Sequence, residues 1–281
     1  MLKTKQDKTI GIVLSTVPKY SETFFRNKIK GLQDNGFRVV LFVDYLKHGD
    51  LNFPCAIVAA PSFDKSLLVS LFNSFVALIK VVFRYPKRSY KLYQLDRRDG
   101  IAFKNRIRNI IVNQFLFTQK LDWLHFGFGM LAVNRENVAQ AIGAKMAVSF
   151  RGFDLYLSPL KHKNCFDSLF TKEVQYHVLS DEMKFDLLDY NISADKIKVI
   201  PPAINIDFFK SNNKPKAHKI VNLVTVARLH WKKGLEYTLE ALVYLKNTGL
   251  KFHYTIIGDG SEYERLVFAA YQLGIKDYVT F

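Results

Sequence analysis

The 281-residue sequence contains only two cysteines, Cys55 and Cys165, and no Cys-x-x-Cys pair. A disulfide framework and a zinc ribbon are therefore excluded, and two unpaired thiols are typical of a reducing compartment. Glycine and proline are also scarce, at 14 and 8 residues, which excludes a collagen-like or low-complexity chain. No uninterrupted apolar run reaches the roughly 20 residues of a membrane-spanning helix.

Acidic residues are in deficit, with 25 Asp and Glu against 41 Lys and Arg, and the formal net charge is +16. Such a surplus favours an anionic partner: nucleic acid, an anionic bilayer or a phosphorylated substrate. The surplus is concentrated in residues 65–120, where two acidic residues accompany twelve basic ones. These are Lys65, Lys80, Arg84, Lys87, Arg88, Lys91, Arg97, Arg98, Lys104, Arg106, Arg108 and Lys120.

Within this tract, residues 66–84 show helical periodicity. One face carries Leu68, Leu71, Phe72, Phe75, Ile79, Val82 and Phe83, and the other carries Ser66, Ser70, Asn73, Ser74, Ala77, Lys80 and Arg84. The pattern predicts an amphipathic helix that runs into a basic tract, which favours an anionic membrane surface over nucleic acid. Core packing of the helix and a merely solvated basic surface are the alternatives.

The N-terminal apolar stretch is short and lacks a small-residue cleavage site, so it predicts a buried first strand rather than a signal peptide. We therefore expect a cytoplasmic protein that is peripheral to the inner face of the membrane.

Strand-like and helical segments alternate along the chain, which predicts an α/β fold with covered parallel sheets. Residues 129–142 are predicted to be one of the helices. Residues 207–219 lack apolar periodicity and are rich in Lys, Asn and Ser, so they predict a linker between a domain at 1–206 and a second one at 220–281. The second domain shows only three strands and two helices, which predicts an incomplete, truncated domain.

Several catalytic signatures are missing. Asp-x-Asp, His-Glu-x-x-His, Gly-x-Ser-x-Gly and the Gly-x-x-x-x-Gly-Lys phosphate loop do not occur. Their absence argues against metal-chelating nucleotide-sugar transferases, metalloproteases, serine hydrolases and P-loop nucleotidases.

In the second domain, the loop from Ala227 to Gly234 joins a strand to a helix. Ligands of open α/β sheets bind beyond the carboxyl ends of strands, and a helix N-terminus favours anions. Arg228 and Lys233 in this loop could hold a phosphate. A cationic loop without a ligand would show the same residues.

In the first domain, a predicted strand leads into Arg151-Gly152-Phe153-Asp154, a basic and an acidic residue beside a glycine. These side chains suit hydroxyl recognition at a sheet edge, although an internal Arg–Asp ion pair is equally consistent. His125 ends another predicted strand, where a hydrogen-bonded core histidine is the simpler interpretation.

The order of these motifs resembles the group 1, or family 4, glycosyltransferases of the two-Rossmann GT-B fold. The resemblance is carried by Val224-Thr225-Val226-Ala227-Arg228-Leu229, Lys232-Lys233-Gly234, Glu240-Ala241-Leu242 and Tyr254-Thr255-Ile256-Ile257-Gly258-Asp259-Gly260. Upstream it includes Ser21-Glu22-Thr23-Phe24, His125-Phe126, Ser149-Phe150-Arg151-Gly152-Phe153-Asp154, Ser180-Asp181-Glu182 and Lys196-Ile197-Lys198-Val199-Ile200-Pro201-Pro202.

The resemblance implies metal-free transfer of a sugar from a nucleotide-diphosphate donor, with retention at the anomeric carbon and no further cofactor. It implies that Arg228 and Lys233 hold the donor pyrophosphate. It also implies acceptor or sugar contacts by Ser21, Glu22, His125, Arg151, Gly152 and Asp154. Many family members have His at the position of Arg151, and the family's later Glu-x7-Glu region has no counterpart before residue 281.

The leading hypothesis is therefore a glycosyltransferase that acts on a surface polysaccharide or glycolipid, with a lipid-linked acceptor as one possibility. The competing hypothesis is a non-catalytic module or split-enzyme half that docks on an anionic membrane or on a complementing C-terminal chain. Nucleic acid is not an expected partner, because no reader motif accompanies the charge.

Overall fold

The structure, a computed structural model, describes residues 8–18, 23–46, 53–61, 67–203 and 220–281. The predicted linker at 207–219 and the predicted contact residues Ser21 and Glu22 lie outside these ranges. The chain divides into two compact units, residues 1–205 and 206–281.

The first unit is built on a parallel sheet with the strand order β3-β2-β1-β4-β5-β6-β7. The strands are β1 (Thr9–Leu14), β2 (Arg38–Val43), β3 (Ala56–Ala59), β4 (Trp123–Phe126), β5 (Lys145–Ser149), β6 (Val174–Val178) and β7 (Ile197–Val199). From β1, the chain adds β2 and β3 on one side of the sheet and then β4 to β7 on the other side. The direction of strand addition therefore reverses between β1 and β4, and their carboxyl ends flank this topological switch point. Ligands of doubly wound sheets bind in the crevice at this point.

Helices cover both faces of this sheet. They are α1 (Thr23–Asp34), α2 (Leu67–Arg84), α3 (Pro86–Arg98), α4 (Phe103–Asn113), α5 (Val138–Ile142), α6 (Ser158–Lys161), α7 (Asp167–Phe170) and α8 (Asp181–Asp189). Alternate strand residues enter different core layers: Val13 and Phe42 join one, and Ile12 and Leu41 join the other. This alternation explains why β1 and β2 are apolar at nearly every position.

The prediction of a helix over residues 129–142 is wrong for most of that segment. Gly129–Leu131 form a single 3-10 turn, and only Val138–Ile142 are α-helical. Asn134 has a positive φ of 63°, in the left-handed region that an α-helix cannot contain. A Cβ on Gly129 would lie 2.8 Å from the Phe150 ring, so glycine permits the close approach of this segment to the core.

Helix α2 exposes most of the apolar face that the periodicity predicts. Phe72, Phe75 and Phe83 are 67%, 61% and 82% exposed, and Ile79 and Val82 are exposed as well. The helix contacts the core through Val81, which is buried, and Leu78. We call the five exposed residues, Phe72, Phe75, Ile79, Val82 and Phe83, the α2 stripe. Core packing is therefore not the explanation for these five residues.

The second unit consists of a smaller parallel sheet with the order β10-β9-β8. Its elements are β8 (Val221–Val226), α9 (Leu235–Asn247), β9 (Phe252–Ile257), α10 (Tyr263–Gln272) and β10 (Val279–Thr280). Leu239, Tyr254 and Leu266 are central to its core. By contrast, Val224, Val226 and Ile257 are exposed.

Among the described helices of the whole chain, none has the length and apolarity needed to cross a membrane.

Candidate functional site

The first candidate site lies at the carboxyl ends of three adjacent strands. His125 on β4, Ser149 at the end of β5 and His177 on β6 converge there, because parallel strands end at the same edge of the sheet. His125 Nε2 lies 2.8 Å from Ser149 Oγ, and Ser149 Oγ lies 2.8 Å from His177 Nδ1. The three side chains therefore form a continuous hydrogen-bonded row across the sheet.

The row of hydrogen bonds ends at the Ile200 carbonyl oxygen, which can only accept, and this fixes the direction of the bonds before it. His177 Nε2 lies 3.0 Å from the Ile200 carbonyl oxygen, so this nitrogen carries a proton; burial lowers the pKa of His177 and favours the neutral ring, in which Nδ1 accepts from the Ser149 hydroxyl. The Ser149 oxygen then accepts from His125 Nε2. Both imidazoles are neutral in this arrangement, each in a fixed tautomer.

Lys28 on α1 completes the row, and the sequence reasoning did not identify it. Its Nζ lies 3.3 Å from each ring nitrogen of His125, an equal spacing that places the ammonium group over the ring rather than on the lone pair of one nitrogen. Burial and the positive charge of Arg151 lower the pKa of Lys28 to about 8. Burial, together with the charge of Lys28, also lowers the pKa values of His125 and His177. The cluster is electropositive, which suits an oxygen-rich or anionic ligand.

The predicted Arg151-Gly152-Phe153-Asp154 motif adjoins this row. The Asp154 carboxylate accepts backbone N–H bonds from Met130 at 3.2 Å and from Arg151 at 3.3 Å. Burial raises the pKa of Asp154, and these N–H bonds oppose the increase. The Arg151 guanidinium lies 3.9 Å from the centroid of the Phe24 ring. Asp154 therefore holds the loop, whereas Arg151 is held by aromatic contacts.

Gly152 precedes a π-helical turn at Phe153–Leu157. Such turns are rare and frequently occur at functional sites. His125 contacts Ser149 and Lys28 within the protein.

This geometry predicts that the protein loses stability in acid. The unfolded chain protonates histidine near pH 6.5, but folded His125 and His177 bind protons only at lower pH. The unfolded state therefore binds more protons below pH 6.5, and the free energy of unfolding should fall with pH there by up to about 1.4 kcal/mol per pH unit per histidine. Urea unfolding between pH 7.5 and 5 measures this slope.

The double variant His125→Asn/His177→Gln should flatten that pH dependence. The exposed His162 provides a matched control, since His162→Gln removes one histidine without disturbing the buried row. An identical slope in the double variant and in the parent protein would contradict the proposed neutral pair.

The second candidate site is the loop between β8 and α9. Its backbone is bonded to the turn after β9: Ala227 N–H donates to Ile257 O at 3.0 Å and Leu229 N–H to Asp259 O at 2.9 Å. A Cβ on Gly258 would overlap the Ala227 carbonyl oxygen, so glycine is required at this close approach. These contacts fix the backbone on both sides of Arg228.

The loop presents the two predicted cations to solvent. Arg228 and Lys233 are both exposed, and neither forms an ion pair with any residue in the described ranges. Gly234, with a φ of 63°, ends the loop, and the 13-residue helix α9 begins at Leu235. Two free cations before a helix N-terminus form an environment that favours phosphate. No cluster of three or more metal-ligating side chains occurs among the described residues.

Known proteins share both the sequence pattern and the fold. The family model "Glycosyl transferases group 1" matches residues 205–281. The amylovoran biosynthesis glycosyltransferase AmsK of Erwinia amylovora is 26% identical over 86% of this chain, which spans 62% of the length of AmsK. The putative colanic acid biosynthesis glycosyltransferase WcaL of Escherichia coli K12 is 25% identical over 96% of this chain and 69% of its own length.

A similar fold occurs in Anabaena HepE, whose structure is a complex with UDP-glucose. It has a TM-score of 0.59 and 13% identity, over 97% of this chain and 68% of HepE. The lipopolysaccharide outer core galactosyltransferase WaaB gives a TM-score of 0.54 at 17% identity, over 97% of this chain and 67% of WaaB.

The two parallel α/β sheets and these structural likenesses define a protein of the GT-B fold class, as the sequence predicted. The family match and the two relatives further support a group 1 glycosyltransferase.

Proposed function

We propose that this chain transfers a sugar from a nucleotide-diphosphate donor to an acceptor in surface polysaccharide or glycolipid assembly. The observation that carries the proposal is the β8–α9 loop, where Arg228 and Lys233 are exposed and free of ion pairs with described residues. Negative charge grows on the pyrophosphate as the bond to the sugar breaks, and fixed cations stabilise that charge. HepE, which shares the fold, is described in complex with UDP-glucose.

The proposed reaction retains the configuration at the anomeric carbon and needs neither a metal ion nor a cofactor. The guanidinium and the ammonium group supply the positive charge that a divalent cation would otherwise provide. In the first unit, Arg151, Gly152 and Lys28 are the proposed contacts to the acceptor or the transferred sugar. The contacts predicted for Ser21, Glu22, His125 and Asp154 remain predictions.

Chelation should therefore leave donor binding unchanged. We expect the affinity for UDP, measured by calorimetry, to be the same in EDTA and in Mg²⁺, because the loop cations replace the metal. A loss of about tenfold or more in EDTA that Mg²⁺ restores would contradict the metal-free mechanism. The anomeric coupling constant of the product, measured by proton NMR, tests retention.

The second part of the proposal is peripheral binding to an anionic membrane, which would bring the protein to a lipid-linked acceptor. The α2 stripe spans only about 100° of the helix circumference, so all five apolar residues can enter one interface. Lys80, Arg84, Lys87 and Lys91 on α2 and α3 are exposed and form no ion pairs with described residues. Exposed aromatic residues next to unpaired cations match an anionic bilayer, with its apolar interior and negative surface.

One half of a two-chain enzyme is the second candidate function. It is favoured by the exposed Val224, Val226 and Ile257 of the smaller sheet, because parallel sheets are normally covered on both faces. A complementing C-terminal chain would cover these residues. Transfer that requires a second chain would support this candidate, and efficient transfer by the purified chain alone would exclude it.

A further inference from the structure

A cleft of about 800 Å³ lies at the carboxyl ends of β2 and β3. Asp44 and Tyr45 follow β2, Ala60 follows β3, and the opposite walls come from α4 and the segment after the 3-10 turn at Gly129–Leu131. This volume is within the range of small-ligand sites. Polar and apolar residues line the cleft in about equal number.

One wall of the cleft is fixed by Arg135. Its guanidinium donates to Asp44 Oδ1 at 2.6 Å and to Asn113 Oδ1 at 3.0 Å. The second bond sets the orientation of the Asn113 amide, because its oxygen is committed to Arg135. Asn113 is fully buried, and its Nδ2 has no hydrogen-bond partner. A buried N–H donor without a partner is unfavourable, and a ligand oxygen would satisfy it.

A second donor reaches the cleft from the same helix, α4. Arg108 and Asn113 both line the cleft from α4, and Arg108 is exposed without an ion pair to any described residue. Tyr45 also lines the cleft and is 70% exposed, so its ring is available to stack on an apolar surface. The cleft therefore offers two donors, one aromatic ring and the Asp44 carboxylate, whose two oxygens accept from Arg135 and keep lone pairs for a further hydrogen bond.

The cleft adjoins the first candidate site. Met130 lines it, and the Met130 backbone N–H donates to Asp154 at 3.2 Å. A ligand in the cleft would therefore lie next to the Arg151–Asp154 motif.

We propose that this cleft binds an acidic sugar unit of the acceptor, an inference that rests on the proposed glycosyl transfer. A ring hydroxyl accepts from Asn113 Nδ2, other hydroxyls donate to Asp44, and the sugar carboxylate pairs with Arg108. A single negative charge matches this set, because the charge of Arg135 is already neutralised by Asp44 and Arg108 is the lining cation that forms no ion pair with a described residue.

The test uses two probes, methyl β-D-glucopyranosiduronate and the neutral methyl β-D-glucopyranoside, with the full chain and no donor. Binding is followed through the side-chain amide resonances of ¹⁵N-labelled protein. A charge-assisted bond to Arg108 should make the acidic probe bind about tenfold more tightly than the neutral one. Arg108→Gln should remove this preference, whereas Arg97→Gln, an equal charge change on exposed α3 surface, should keep it.

Asn113→Asp gives a second variant, because its carboxylate oxygen can still accept from Arg135 while the N–H donor is lost. We expect it to abolish binding of the acidic probe; because a carboxylate at this buried position also lowers the thermal unfolding temperature, binding is compared well below that temperature, where the variant is folded. Equal affinity for the two probes, no binding of either, or unchanged binding in Arg108→Gln and Asn113→Asp would overturn the proposal. This experiment measures binding of the probes and no glycosyl transfer. A negative binding result would therefore not contradict the proposed transfer reaction, and a protein without transfer activity could still bind the acidic probe.

Discussion

Arg228→Ala is expected to lower kcat/KM for sugar transfer by about 10²-fold or more, the scale for losing one charged donor to a developing negative charge. The same variant should weaken binding of inorganic pyrophosphate by about tenfold or more, because a charge-assisted hydrogen bond is removed. Pyrophosphate is a useful probe since it needs neither the right nucleotide nor the right sugar. Calorimetry on the purified chain measures this affinity directly.

Arg228 is well suited to this test, because it is exposed while its neighbours Ala227 and Leu229 keep their backbone bonds. Lys233→Ala should act in the same direction. Lys251→Ala provides the matched control, since Lys251 is exposed just before β9, at the opposite end of the sheet. Wild-type turnover and pyrophosphate affinity in both loop variants would refute the assignment of this loop.

The second large effect concerns the membrane surface. Each basic residue near an anionic bilayer contributes about 1 kcal/mol, so replacing four of them should lower vesicle binding by about 10³-fold. The residues to change to Gln are Lys80, Arg84, Lys87 and Lys91, all of them exposed. Co-sedimentation with vesicles of phosphatidylglycerol and phosphatidylcholine measures the partition, which should also weaken with added salt.

A control variant with the same change in net charge shows whether vesicle binding depends on the position of the basic residues or only on the overall charge of the protein. It replaces Lys161, Lys163, Lys198 and Lys276, which are exposed on other elements, and should lose much less binding. Phe75→Ser/Phe83→Ser tests the apolar contribution of the α2 stripe and should weaken binding without changing net charge. Equal binding to neutral and anionic vesicles, or no binding to either, would contradict membrane docking.

Much of the fold could be predicted from local pattern. The apolar runs of β1 and β2, separated by an amphipathic segment that ends at Asn35-Gly36, define a β-α-β unit, and the structure has it there. The error at residues 129–142 has a local cause that periodicity does not reveal. Apolar residues at helical spacing are present, but Asn134 adopts a left-handed conformation and divides the segment.

The candidate site was only partly predictable. Arg228 and Lys233 could be found because the loop and its two cations are contiguous in sequence. The cleft could not, because Asp44, Asn113 and Arg135 lie 22 to 91 positions apart and meet only through the tertiary fold. Lys28 was missed for the same reason, since its contact with His125 joins α1 to a strand 97 positions away.

The sequence by itself determined the α/β class, the resemblance to group 1 glycosyltransferases, the positive charge of residues 65–120 and the amphipathic nature of α2. These are properties of composition and short-range spacing, which need no tertiary contact to exist. Only the tertiary structure decided which face of α2 meets solvent, because Val81 rather than the aromatic residues contacts the core. It also decided the tautomers of His125 and His177 and the unsatisfied amide of Asn113, since hydrogen-bond partners and burial depend on residues that folding brings together from distant parts of the chain.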